Sequence, residues 1–232
     1  MEQNAQSQKS EKVASQTVVN GGRIAWWRTA AVQAAAKYFL LASFVAFFGW
    51  AFETVSFAVM DISEDRGFLT LPFCYLYGSS VLLVYFLFGT PFGGRAGKLY
   101  ALLRGEKPSV LRAVAAAVLQ LLLYFSAVSL LATAMELVIG LVFIRWLDIP
   151  LWSYANFDHT FLDIICLDFS LLWGLLITVG MCTLWPFFVF AESKLSPKLR
   201  VVFAIALAVL TLSDFIFNCF YYANTGYHFE LF

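Results

Sequence analysis

Charge is scarce in this chain, and so are the residues that carry soluble catalytic chemistry. Of 232 residues, 13% are Asp, Glu, Lys or Arg and only two are histidine. His159 and His228 lie in loop and tail, there is no HExxH helix, and a Ser-His-Asp arrangement would need His159 to fold back over Ser170. No GxSxG elbow is present. The four cysteines, Cys74, Cys166, Cys182 and Cys219, all sit in apolar runs without a CxxC pair. They read as packing residues, and neither a disulfide framework nor a zinc site is indicated. The segment GGRAGK (93–98) is one residue short of a phosphate loop, and Leu99 stands where Ser or Thr should follow, so no ATPase domain is encoded here. Formal net charge is zero, which gives no reason to expect nucleic acid. No cofactor is expected, and an enzymatic role is less favoured than a non-enzymatic one.

What the chain has is apolar surface. It is 61% hydrophobic and 18% aromatic, with 25 Phe and a mean hydropathy of +0.79. A soluble domain is nearer half apolar, so lipid must face much of this surface. Five apolar stretches, about 38–60, 68–91, 113–144, 162–190 and 201–222, predict an all-α, polytopic integral membrane protein with about five transmembrane helices. Thirteen of the fifteen Lys and Arg residues lie in the tail, the second gap and the fourth gap; Arg66 and Arg145 are the exceptions. Positive residues stay cytoplasmic, so the N-terminus is expected inside and the C-terminus outside.

The domain reading follows. Residues 1–22 are polar and read as a disordered cytoplasmic tail, not a signal peptide. Residues 23–37 read as an interfacial segment, with Trp26 and Trp27 between Arg23 and Arg28. Residues 38–222 form the transmembrane domain, and 223–232 an extracytoplasmic tail. Pro72 and Gly78 in LTLPFCYLYG point to a broken or re-entrant start of the second stretch. The third stretch exceeds the roughly 20 residues a bilayer needs and must tilt, kink or protrude. The basic loops are short, and no coupling helix is evident in them.

Acids interrupt the apolar stretches. Counted from the outer ends at 1.5 Å per residue, Glu53 lies roughly 10 Å deep, and Glu136 and Asp214 roughly 12 Å. Charge in hydrocarbon is costly and is usually there for a purpose. Small and polar residues accompany each acid: Ser126, Ser129, Thr133, Glu136 and Gly140; Thr211, Asp214, Asn218 and Tyr222; Gly49 and Trp50 beside Glu53; and, on the fourth stretch, Ser170, Gly174, Thr178 and Cys182, where Asp168 lies about 6–10 Å deep but points away from Ser170. Such stripes also pack membrane helices with no ligand present. Arg66 and Arg145, the only outer cations, could pair with an acid or anchor in headgroups. The outer gap, with Trp146, Trp152 and Tyr154, reads either as an interfacial aromatic belt or as a lid over an acidic pocket.

Several segments taken together resemble a known family. They are FFGWAFE (47–53), RGFLTLPFCYLYG (66–78), Glu136 followed by Gly140, LWSYAN (151–156) and CLDFSLLWG (166–174). Their order and spacing resemble the bacterial CmpB-like ABC transporter permeases over about residues 40–190. The resemblance implies a multi-pass permease of the bacterial inner membrane. It carries over Trp50, Glu53, Arg66, Gly67, Pro72, Tyr77, Gly78, Glu136, Trp152, Tyr154, Ser170 and Gly174. The chain departs from the pattern at Ser153, where the family has Asp; at Tyr75 and Leu76, where it has Pro-Ile; and at Ile164, where it has Arg.

The expected function is a transporter or permease component with an acidic pocket in the outer half of the membrane, binding a cation, a proton or a basic or organic-cation solute. The residues expected at the ligand are Trp50, Glu53, Arg66, Tyr77, Glu136, Tyr154, Ser170 and Asp214. Expected partners are the lipid bilayer, the transported ion or small molecule, a separate ATPase chain and further copies of the chain. Two alternatives stand beside this: a membrane-embedded enzyme acting on a lipid or isoprenoid, and a structural or accessory membrane subunit.

Overall fold

The computed structural model describes residues 25–60, 68–149, 152–226 and 229. A 3-10 turn, Trp26–Arg28, leads into α1 (Ala30–Met60). The Ala-rich start of α1 favours helix, and the helix is already formed within the expected interfacial segment. α2 (Tyr75–Phe88) follows a non-helical approach over 68–74. Pro72 explains the delay: it lacks an amide donor and pushes Leu71 away from helical angles. The short helix α3 (Gly94–Arg104) lies in the second gap, where the sequence reading had found none. α4 (Val110–Gly140) continues as a π turn, Leu141–Trp146. A two-stranded hairpin, β1 (Thr160–Phe161) with β2 (Ile165–Cys166), precedes α5 (Leu167–Cys182). α6 (Leu184–Ser193) and α7 (Pro197–Thr225) complete the fold.

Three helical stretches are long and apolar enough to cross a membrane: Ala30–Ser56, Val110–Trp146 and Pro197–Thr225. A fourth crossing results if α5 and α6, bent by 45° at Thr183, count as one. Pro186 accounts for that bend, because its ring would meet the Cys182 carbonyl of a continuous helix. The 37 residues of Val110–Trp146 extend about 55 Å, well past a hydrocarbon core of about 30 Å, so this helix protrudes. α2 has only 14 residues, about 21 Å of helix.

In hydrocarbon the unwound approach to α2 must have its backbone groups bonded inside the protein. Asp214 Oδ2 on α7 accepts from the Leu71 amide at 3.0 Å, and the Cys74 amide donates to the Ala46 carbonyl of α1 at 3.1 Å. Asn218 donates to Thr70 Oγ1 at 2.9 Å and to Asp214 Oδ1 at 3.1 Å. The other end of α2 is capped by Arg95, which donates to the carbonyls of Phe86 and Leu87, each at 3.1 Å. Buried Gln120 holds the turn beyond it through the carbonyls of Pro91 (2.8 Å) and Ala96 (3.0 Å), and Tyr124 donates to Gly89 O at 2.7 Å.

One apolar core joins Leu41, Val84, Tyr124, Val128, Met181, Trp185 and Phe188 from five helices. A second cluster, Ala36, Leu40, Val201 and Ala204, joins α1 to α7. These two helices run parallel, since Gln33 near the start of α1 donates to Pro197 O at the start of α7. Large apolar side chains such as Leu130 and Phe220 point outward, as lipid contact requires. Polar stripes depart from expectation at two points. Ser126 is exposed and bonds back to Leu122 O, and Cys182 is exposed while Met181 is buried.

Helix approach depends on missing side chains. A Cβ on Gly78 would be driven into the Ala42 carbonyl oxygen, and one on Gly174 into Ser129. Gly180 has nothing within 4 Å of that position. Gly78→Ala is expected to destabilise the bundle by about 1–3 kcal/mol through overpacking, while Gly180→Ala has little effect. Thermal unfolding of the two variants in detergent measures the difference; equal stability would contradict the close α1–α2 crossing.

Candidate functional site

The hairpin brings Tyr154 to the membrane helices. Its turn is held by Arg145, donating to Leu162 O at 3.0 Å, and by Trp152, whose indole donates to Ile164 O at 2.8 Å. His159, Leu162 and Asp163 adopt positive φ values of 56°, 58° and 59°, so the turn stores backbone strain that these bonds must hold. Gly140 makes room beneath it: a Cβ there would strike Ile164 and crowd Trp152. Arg145 is therefore bonded to a carbonyl of the hairpin. Trp152 and Tyr154 are bonded inward, to Ile164 O and Glu136, while Trp146 stays exposed.

Tyr154 is fixed by its amide, which donates to Asp163 O at 2.8 Å, and by stacking on Phe169 at 5.0 Å. Its hydroxyl donates to Glu136 Oε1 at 2.8 Å. Glu136 is 7% exposed, and its second oxygen has no partner among the described residues. The Trp173 indole also reaches the Tyr154 hydroxyl. Trp173 in turn packs on Tyr77 at 5.2 Å, and Tyr77 directs its hydroxyl to Glu53. Gly49 lets the Tyr77 ring lie against α1. The chain of contacts thus runs Glu136, Tyr154, Trp173, Tyr77, Glu53, and the two carboxylates lie within electrostatic reach of each other.

The remaining expected residues fall in different places. Ser170 is buried on α5 above Gly174 and Thr178, along the seam with α4. Trp50 is half-buried and stacks on Phe47 at 6.3 Å. Asp214 is bonded to Leu71 and Asn218, so its oxygens are occupied by the approach to α2. Asp168 is exposed, with His159 Nδ1 at 3.9 Å. Arg66 and Gly67 lie outside the described residues. Among the described residues no three His, Cys, Asp or Glu side chains converge as a metal site.

Two features escaped sequence reasoning. Trp173 links the acids, and only its place in the CLDFSLLWG motif pointed to it. Glu192, 2% exposed at the end of α6, forms a buried ion pair with Arg200. The signal there was a lone acid among the basic residues Lys194, Lys198 and Arg200.

Chemically, the arrangement offers two carboxylates with a phenol on each and indole and phenol rings alongside. Carboxylates of this kind can hold a proton or a cation.

A protein-family model described as "Putative ABC-transporter type IV" matches residues 38–219, which takes in the last helix as well as the motif-bearing segments. No curated protein and no solved structure matches the chain.

Burial, and then the Glu136 charge, push the Tyr154 phenol above its ordinary range, so the folded chain holds that proton more tightly than the unfolded chain. The resulting stability is complete below the ordinary phenol pKa of about 10 and is lost as pH rises above it. Tyr154→Phe should remove that alkaline loss and cost about 1–3 kcal/mol near neutral pH, because Glu136 Oε1 loses its donor. Unfolding of both proteins from about pH 7 to about pH 11 tests this, and identical slopes would contradict it.

Proposed function

Since the chain belongs to the CmpB-like ABC-transporter type IV family, we propose that it is a permease component that binds a cationic species, proton or solute, between Glu53 and Glu136. Membership and the apolar helices make it an ABC-transporter-related membrane protein. The observation that carries the finer reading is Glu136: one oxygen on Tyr154, the other without a partner among the described residues, and a second carboxylate in electrostatic reach.

In this reading the chain is a multi-pass protein of the bacterial inner membrane with five crossings and its N-terminus inside. α2 makes the second crossing together with its unwound approach, whose seven residues add at most about 23 Å to its length. The parallel run of α1 and α7 supports an odd number of crossings. Tyr77, Trp50 and Tyr154 wall the acidic pocket and Ser170 lines its α5 side; Arg66, the expected counter-charge, lies outside the described residues. Asp214 acts at one remove, by holding the approach that leads into the first turn of α2, where Tyr77 lies.

A separate ATPase chain would meet the basic face. α3 is suited to that contact: it exposes Leu99 and Leu102 and carries Arg95, Lys98 and Arg104. Further copies of the chain could complete the pathway, because one copy makes only a small wall.

The test is cation-dependent stability of the full chain in nanodiscs. Sodium, potassium, choline and tetraethylammonium chlorides are each titrated at several pH values. A cation that binds is expected to stabilise the wild type by about 2.7 kcal/mol at a hundredfold excess over its Kd. Glu136→Gln and Glu53→Gln should stay folded and lose that shift. A wild type insensitive to every cation and to pH, or Gln variants that shift as much as wild type, would overturn the reading.

A further inference from the structure

A cavity of about 430 Å³ opens where α1 and α7 begin, at the end opposite the acids. Trp27, Arg28 and Gln33 line it from the side of α1, and Pro197, Lys198 and Arg200 from α7. Three of these residues are cations, and among the described residues no carboxylate lines the space.

The cations are held differently. Arg200 is fixed from behind by the buried Glu192 carboxylate, and its Nη1 donates to Gln33 Oε1 at 2.8 Å. Gln33 in turn donates to Trp27 O (2.6 Å) and Pro197 O (2.9 Å), which ties the 3-10 turn to the start of α7. The Arg28 guanidinium lies 4.8 Å from the Trp27 ring centroid. Lys198 is exposed in the first turn of α7. Glu192 offsets one of the three positive charges, which leaves two facing the cavity.

Backbone adds to this. Ser196 caps α7 by accepting from the Leu199 amide at 3.3 Å, and Pro197 has no amide hydrogen. The Lys198 amide has no acceptor within the helix, and the positive end of a 29-residue helix dipole points the same way.

We propose that this cavity binds a phosphate group of net negative charge, as the headgroup of an anionic lipid or as a free phosphate. Paired guanidinium and ammonium donors suit phosphate oxygens. The volume leaves room for an ester substituent, and Trp27 sits beside the donors as aromatic rings do at headgroup depth.

Native mass spectrometry of the full chain, titrated with phosphatidylglycerol and with phosphatidylcholine, tests the lipid source. Equilibrium dialysis with labelled inorganic phosphate tests the free one. Arg28 and Lys198 are exposed, so the double variant Arg28→Gln with Lys198→Gln should fold normally, which its thermal unfolding checks. The wild type should either retain phosphatidylglycerol over phosphatidylcholine or bind inorganic phosphate. The double variant should lose that binding roughly thirtyfold, from the loss of two basic residues at the surface. Lys107→Gln, in the exposed connection between α3 and α4, should leave it unchanged. Preference for phosphatidylglycerol that phosphate does not displace assigns a lipid, and displacement by phosphate assigns the free anion. Equal retention of the two lipids with no phosphate bound overturns the proposal. So does an equal loss in Lys107→Gln, which would mark general surface charge.

Discussion

A polar atom placed in hydrocarbon must find its partner within the protein. The fold can be followed from that requirement. Pro72 prevents α2 from starting early; of the exposed amides that result, Leu71's is met by Asp214 and Cys74's by the Ala46 carbonyl, while Asn218 bonds the Thr70 hydroxyl. α7 is thereby bound to the approach to α2 by side chains set four residues apart, on the face that also buries Thr211. Arg95, Gln120 and Tyr124 do the same for the turn that ends α2. The matching is incomplete at Glu136, with one carboxylate oxygen bonded and the other without a partner among the described residues, as it is at Thr54 Oγ1, Gln120 Oε1 and Ser129 Oγ.

The acid site depends on these structural bonds. Tyr77 reaches Glu53 because the first turn of α2 is fixed in place, and because Gly49 and Gly78 let α2 lie close on α1. Tyr154 reaches Glu136 because a strained hairpin is pinned by Arg145 and Trp152 over Gly140. Trp173 packs or bonds to both tyrosines, so movement of either the hairpin or α2 would be felt at both carboxylates.

Much of this was legible in the sequence, for physical reasons. Apolar runs announced the long helices, and Pro72 with Gly78 announced the broken approach to α2. The stripe Thr211, Asp214, Asn218 and Tyr222 was legible as one face. Its partner at Leu71 was not, since that pairing spans more than half the chain. Ser126 was misplaced because steps of three and four drift around a straight helix, which leaves the outer members of a stripe ambiguous. α3 went unread because its 11 residues lie between glycines and carry five polar or glycine positions. The hairpin went unread because its strands are two residues each. Glu53, Glu136, Tyr77 and Tyr154 were legible as separate candidates, but the ring that joins them, Trp173, was not.

The account rests on Glu53 and Glu136 behaving as one site although they sit on different helices. A double-mutant cycle measures that directly, by comparing the stability of wild type, Glu53→Gln, Glu136→Gln and the double variant under one set of conditions. Shared surroundings predict a coupling energy of about 0.5–3 kcal/mol. Effects that add to within about 0.3–0.5 kcal/mol would mean that the two acids are independent, and would contradict a common binding site.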